Sequence, residues 1–287
     1  MSEFLTSLYV DSRARTATSR SPTDFNIQLE QGLNCQADTV MHVSSVSFPI
    51  TWWTIEPDVR DRVAVQLFVP DMTLRISGFA TLQPGFYDGI SFAEQLEEQL
   101  NKLTEQYTEL PKWTCLYVTA ENRVVVQWGE ERLPTRSWQF MSEKDMAVTQ
   151  SWTGPAFDRS YPRLIDDVLR MNDMTYTVSN NGTWVSGYFD SLAGVHVAYL
   201  HSDLGSYKTV GPRMVEDKDV ICRIPIESAH GDLNHFRSYG HTYDFVQVFH
   251  ADANNLRFYL TDHKGRVIDL HGGELSRELI FHAYPTL

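Results

Sequence analysis

The chain holds little that would staple it, carry it through a membrane or give it a catalytic centre. Of 287 residues only three are cysteines, Cys35, Cys115 and Cys222, far apart and odd in number. No C-x-x-C spacing occurs, which argues against zinc ribbons and thioredoxin-type redox sites and favours a reduced, intracellular folding compartment. Each cysteine reads as a small buried apolar residue. No stretch approaches the roughly 18 consecutive apolar residues of a membrane helix. The opening MSEFLTSLYV is short and carries Glu3 where a signal peptide would carry positive charge, so no secretion signal is expected. Positive charge is scarce as well: 24 Lys and Arg stand against 37 Asp and Glu, a net charge of −13. That balance repels a phosphate backbone over most of the surface and disfavours a general nucleic-acid binder.

Catalytic signatures are missing too. There is no G-x-S-x-G, no P-loop and no strand-linked G-x-G-x-x-G. His196 and His201, five apart on a strand, point to opposite faces and cannot chelate together, and His230, His235 and His241 lie in a loop-rich stretch. The acid pairs Glu130-Glu131 and Asp166-Asp167 read as solvated faces. The chain is therefore expected not to be an enzyme and to bind no metal or cofactor. No internal repeat or low-complexity tract appears.

What is present is β-structure. In the last fifth of the chain Leu256, Phe258 and Leu260 alternate with Arg257, Tyr259 and Thr261, the period of two that gives a strand one apolar face. Asp262 to Gly265 supply a turn, Val267, Ile268 and Leu270 are expected to resume the sheet, and Leu275, Leu279, Ile280 and Phe281 form a last strand. The chain is thus expected to end inside its own core, against strands from its first half.

Residues 11 to 23, DSRARTATSRSPT, carry three arginines and no large apolar side chain. The reading is an exposed N-terminal arm over 1–23, whose Arg13, Arg15 and Arg20 are candidate contacts to a neighbouring subunit or to nucleic acid; a plain solvated linker is the alternative. Phe25, Ile27 and Leu29 mark the next strand, and Val40 to Ile50 another that stops at Pro49. Of the adjacent Trp52 and Trp53, one is expected in the core and the other under a loop or at a subunit contact. Strands follow over 63–69 and 73–81. Ser91 and Glu94 then read as a capping box opening an amphipathic helix, with Phe92, Leu96, Leu100, Leu103 and Tyr107 at helical spacing.

A hairpin is expected over 114–128, then an irregular excursion over 129–173 with a short possible helix, RLIDDVLRMN. The turn Asn180-Asn181-Gly182 is the strongest hairpin signal in the chain, and strands over 195–200 and 220–226 complete the count. The fold expected from the residues is all-β, with one amphipathic helix and a long irregular excursion in the middle of the chain.

Four segments, in order, carry a family resemblance: YVDSRARTATSRSPTDFNIQLEQGL; VMHVSSVSFPITWWTI; TLQPGFYDGISFAEQLEEQLNKL, a Pro-Gly-aromatic turn and helix; and VHVAYLHSDLGSYKTVGPRMVEDKDVICRIPI with NNLRFYLTDHKGRVIDLHGGELSRELIF. Together they span about half of the chain, which resembles the penton and minor capsid proteins of the Polinton, virophage and adenovirus lineage of double-stranded DNA viruses. The resemblance implies an all-β fold, a single jelly-roll β-sandwich with one amphipathic helix and an insertion in the middle of the chain, divided into the arm 1–23, a first part of the jelly roll 24–128, the insertion or long excursion 129–180 and a second part 181–287. It implies a structural capsid protein, foremost a penton subunit whose homopentamers close the five-fold vertices of an icosahedral virion. It implies as partners further copies of the chain, a double jelly-roll major capsid protein, and other minor capsid or spike proteins, with nucleic acid touched at most through the arm. The family brings no catalytic residues, and an integrin-type Arg-Gly-Asp loop is missing. Alternatives at this stage are a minor capsid protein between major capsomers, and a jelly-roll carbohydrate- or receptor-binding module that would use exposed aromatics.

Overall fold

The alternating runs do become strands. The structure, a computed structural model, describes residues 3–35, 39–58, 60–69, 74–129, 137–142, 183–186, 195–206, 219–241, 244–248, 252–263 and 265–283. In chain order the elements are β1 (Glu3–Asp11), β2 (Asp24–Asn34), β3 (Thr39–Pro49), β4 (Arg62–Val69), β5 (Leu74–Thr81), α1 (Gly89–Thr104), β6 (Trp113–Val118), β7 (Arg123–Trp128), β8 (Ser137–Met141) and β9 (Thr183–Val185). After them come β10 (Val197–Ser202), β11 (Gly205–Ser206), β12 (Val220–Pro225), β13 (Leu233–Arg237), β14 (Val246–Val248), β15 (Asp252–Thr261) and β16 (Ser276–Ala283).

The chain divides into two compact units, one from Met1–Trp52 with Val195–Leu287 and one from Trp53–Gly194. In the first, one sheet runs β1-β16-β3-β14-β11, with β13 sharing the β14 edge of β3, and a second runs β12-β10-β15-β2. All the pairings are antiparallel. The first three strands alternate between the sheets, β1 and β3 in one and β2 in the other, and β15 and β16 return to lie beside β2 and beside β1 and β3. This winding, four principal strands to a sheet with sequence neighbours on opposite layers, is the jelly roll. Its core is filled from both layers: Phe25 and Ile27 of β2 and Leu256, Phe258 and Leu260 of β15 meet Met41, Val43, Val46 and Phe48 of β3 and Leu279 and Phe281 of β16. Burying each such side chain contributes about 1.5–3 kcal/mol relative to leaving it exposed. Trp52 is buried and Trp53 half-buried, and Cys35 and Cys222 belong to this core.

The second unit has its own core. Phe92, Leu96 and Leu100 line the buried face of α1 and pack with Trp113 and Cys115 of β6, Val124 and Val126 of β7 and Val65 and Leu67 of β4. Sheets β5-β4-β8 and β6-β7-β9 complete it. The helix starts earlier than Ser91-Glu94 suggests. Asp88 is the N-cap, its carboxylate accepting from the Ser91 backbone N–H at 2.8 Å while Ser91 Oγ accepts from the Asp88 N–H at 3.1 Å. An acid caps better here because it also faces the positive end of the helix dipole.

Three expectations are corrected. The insertion begins at 53 rather than 129, so residues 53–128 do not belong to the jelly roll; their alternation reports a sheet with one covered face without saying which core covers it. Residues 3–11 of the expected arm are strand β1, paired along its length with β16. Val267 makes a single bridge to Thr261, and Ile268 and Leu270 are buried without joining a sheet. The turn before them is as expected, with Gly265 at φ 77°, a conformation open to glycine. The Asn180-Asn181-Gly182 turn, the helix over 163–172 and both acid pairs lie outside the described residues.

Candidate assembly surface

The sequence pointed to Arg13, Arg15 and Arg20, and the structure sets them in the loop that joins β1 to β2, across the two sheets. Polar clamps hold the loop at both ends. Ser12, buried, donates its amide to Leu275 O at 2.9 Å and its hydroxyl to the Glu274 carboxylate. At the other end Thr23 Oγ1 donates to Ile268 O at 2.7 Å, and the Leu260 amide donates to Thr23 O at 2.9 Å. Ordering entropy is thus offset by hydrogen bonds and by the strands on either side, without apolar burial in the loop itself.

Each arginine meets a different carboxylate. Arg13 Nη2 lies 2.7 Å from Asp11, with its side chain 74% exposed. That pairing, first through the side-chain hydrogen bond, lowers the pKa of Asp11 and raises that of Arg13. Arg15 Nη1 donates to Ser12 O at 2.9 Å and lies 3.1 Å from Glu274. Arg20, 81% exposed, reaches Asp24 at 3.5 Å. The three guanidiniums are therefore spread along one loop and not gathered at one point. Exposed pairs of this kind contribute little to stability and leave the cations available to a partner. Beside the loop, β1 is the outer strand of its sheet, and Tyr9 stands 69% exposed on it.

Sequence reasoning missed a row of polar side chains across the solvent-side face of the four-stranded sheet. The register places Asp24 of β2 opposite Tyr259 of β15, and Tyr259 opposite His201 of β10. Buried Asp24 accepts two hydrogen bonds from Arg257, Nε at 3.0 Å and Nη2 at 3.1 Å, which raise the pKa of that guanidinium. The Arg257 guanidinium carbon lies 4.8 Å from the centre of the Tyr259 ring. Tyr259 stacks on His201 at 4.3 Å and donates its hydroxyl to Asp219; burial first, and that bond second, push its phenol above the usual range. His201 Nδ1 lies 2.9 Å from Asp219 and Nε2 2.9 Å from Thr261 Oγ1. Thr261, His201 and Asp219 have the order of a hydroxyl–imidazole–carboxylate relay. Thr261 is 2% exposed and His201 3%, so the hydroxyl and the imidazole are both buried beneath the surface of the sheet. The row ties β2, β15 and β10 together. Only the alternation of polar residues on β15 hinted at it, since Asp219 lies 40 positions from Tyr259.

His196 is exposed while His201 is buried, and among the described residues no group of three or more His, Cys, Asp or Glu is placed to hold a metal ion. Among the described residues no helix is long and apolar enough to cross a membrane.

No protein-family model matches the sequence, and no curated protein sequence matches it either. Among solved structures the chain is similar to the mavirus penton protein, in the crystal structure of its selenomethionine-labelled form, with a TM-score of 0.54 and 11% sequence identity. The match covers 98% of this chain and 100% of that one. At this identity the likeness is one of fold, and it extends over both units and not the sandwich alone.

Proposed function

We propose that the chain is a structural capsid protein of an icosahedral double-stranded DNA virus, a penton subunit that assembles as a homopentamer at the five-fold vertices and resides in the virion. The observation that carries this reading is the extent of the fold match, 98% of one chain against 100% of the other. A jelly roll alone is shared by lectins, cupins and many capsids. A jelly roll interrupted after its third strand by an inserted unit, matched from end to end, is a much narrower description.

The proposed activity is assembly without turnover. A five-membered ring needs a heterologous interface, one face of each copy meeting a different face of the next, and it closes when each step turns by about 72°. In this reading the β1–β2 loop is a contact element, with Arg13, Arg15 and Arg20 offered to the acidic surface of a neighbouring copy, of a double jelly-roll major capsid protein or of another minor capsid protein. A chain of net charge −13 favours such contacts over a general hold on the genome.

Light scattering on a size-exclusion column tests it. The reading expects a species near five times 33.0 kDa, at high protein concentration if not at low. A chain that remains at 33.0 kDa under all conditions and binds glycans in the same state would replace it with the carbohydrate-binding alternative.

A further inference from the structure

His42 of β3 and His282 of β16 meet on the solvent-side face of the six-stranded sheet, while Met41, Val43 and Phe281 beside them point into the core. The two rings stack with 5.2 Å between centroids and 25° between planes, and His282 Nε2 lies 3.2 Å from His42 Nδ1. Phe245 packs on both, at 5.6 Å from His42 and 5.1 Å from His282. Gly240 lies so close over His42 that a Cβ there would stand 3.1 Å from Nε2. Gly240 and Phe245, which lie between β13 and β14, thus use this pair as their seat on the sheet. Ser238 anchors the segment at one end through its amide on Ser44 O at 2.9 Å, and Ser238 Oγ donates to Asp244 at 2.6 Å.

An imidazole–imidazole hydrogen bond needs one bare nitrogen to accept it. One proton can be added to the pair with the bond intact. A second leaves two N–H groups and two like charges face to face at 3.2 Å. Among the described residues, Glu278 on β16 and Asp244 after β13 bear on the pair, His241 stands close to Asp244 in sequence, and neither Phe4, the β1 residue opposite His282, nor Val246 on β14 can carry a charge. Glu278 already accepts from Ser44 Oγ at 3.2 Å and Asp244 from Ser238. Burial first, then the field of His282, lowers the pKa of His42 against the opposing pull of Asp244 and Glu278, and burial lowers that of His282.

We propose that the His42–His282 pair is an acid-released latch, whose second protonation breaks the imidazole–imidazole bond and frees residues 238–241 and 244–245 from the face of the sheet. The latch follows from the jelly roll itself and stands whether or not the chain builds a vertex. Both groups sit below the free-histidine value of 6.5 in the closed state. The closed state is therefore fully favoured above 6.5, and the released state binds more protons as pH falls below it.

Hydrogen–deuterium exchange on the full chain tests this, with rates corrected for the intrinsic pH dependence of exchange, from about pH 7.5 down to about pH 5. One net proton taken up on release makes exchange in peptides over 238–248 rise about tenfold per pH unit below the free-histidine value. His282→Gln keeps a hydrogen-bonding side chain without a titrating charge, and its exchange in this segment should be flat over the same range. A wild-type response that is absent, or that persists unchanged in His282→Gln, overturns the latch. If His282→Gln loses its circular dichroism spectrum, imidazole resonances of the wild-type chain decide. Two steps below the free value support the pair, and one step at the free value for each ring overturns it.

Discussion

Arg277 poses the sharpest energetic question in the jelly roll. It lies on β16 and points inward, 1% exposed, with its guanidinium carbon 3.3 Å from the centre of the Phe258 ring and 4.9 Å from that of Phe25. Among the described residues its Nε, Nη1 and Nη2 meet no hydrogen-bond partner. Burial pushes its pKa well down, yet a guanidinium starts high enough to keep its proton near neutral pH. Two desolvated ring contacts return about 2 kcal/mol each at best. The effective cost of removing a charge from water is several kcal/mol, and among the described residues no counter-charge offsets it. The balance favours removing the charge while keeping the length. Arg277→Met fits the same channel, adds sulfur–aromatic contacts of about 0.3–1.5 kcal/mol, and should stabilise the first unit by about 1–4 kcal/mol. Arg277→Lys keeps the charge but loses the flat stacking surface, and should destabilise it. Urea unfolding followed by far-ultraviolet circular dichroism reads both, and the Met variant should melt about 2–4 °C higher per kcal/mol gained. A Met variant less stable than wild type by more than about 1 kcal/mol would refute the reasoning, because it would mean that the native core solvates the guanidinium better than water-to-core transfer allows.

Other consequences are equally direct. Removing residues 1–11 deletes β1 and bares the edge of β16, so the shortened chain should show a large loss of melting temperature; an unchanged melt would mean that the strand is dispensable. Replacing Arg13, Arg15 and Arg20 together by Ala should leave the melting temperature almost unchanged, since the pairs are exposed, while impairing incorporation into particles; normal incorporation would remove the loop from the contact surface. Asp88→Ala should cost about 1 kcal/mol in urea unfolding through the lost cap of α1. Burial raises the thiol pKa of Cys115 and pushes that of Cys222 up to about 12, so neither should react with a thiol reagent near pH 8 until the chain is unfolded.

Local periodicity made most strands legible. Leu256, Phe258 and Leu260 announced β15, Pro49 marked the end of β3, and the spacing of Phe92, Leu96 and Leu100 gave α1 its buried face. Which core each strand serves was not legible, because Val63 to Val69 alternates as a jelly-roll strand does while packing in the other unit. The β1–β2 loop was misjudged as free for a related reason: what orders it are Ser12 and Thr23, small side chains whose partners lie more than 240 positions away. The polar row from Asp24 to His201 and the His42–His282 pair depend on register, which brings together residues that no spacing rule connects.

The measurement that tests the vertex assignment most directly is a cryo-electron-microscopy reconstruction of particles that contain the chain. The assignment predicts five copies around each five-fold axis, with density for the jelly roll and for the inserted unit 53–194 in every copy. Density for the chain between major capsomers, with the five-fold axes occupied by another protein, would contradict it.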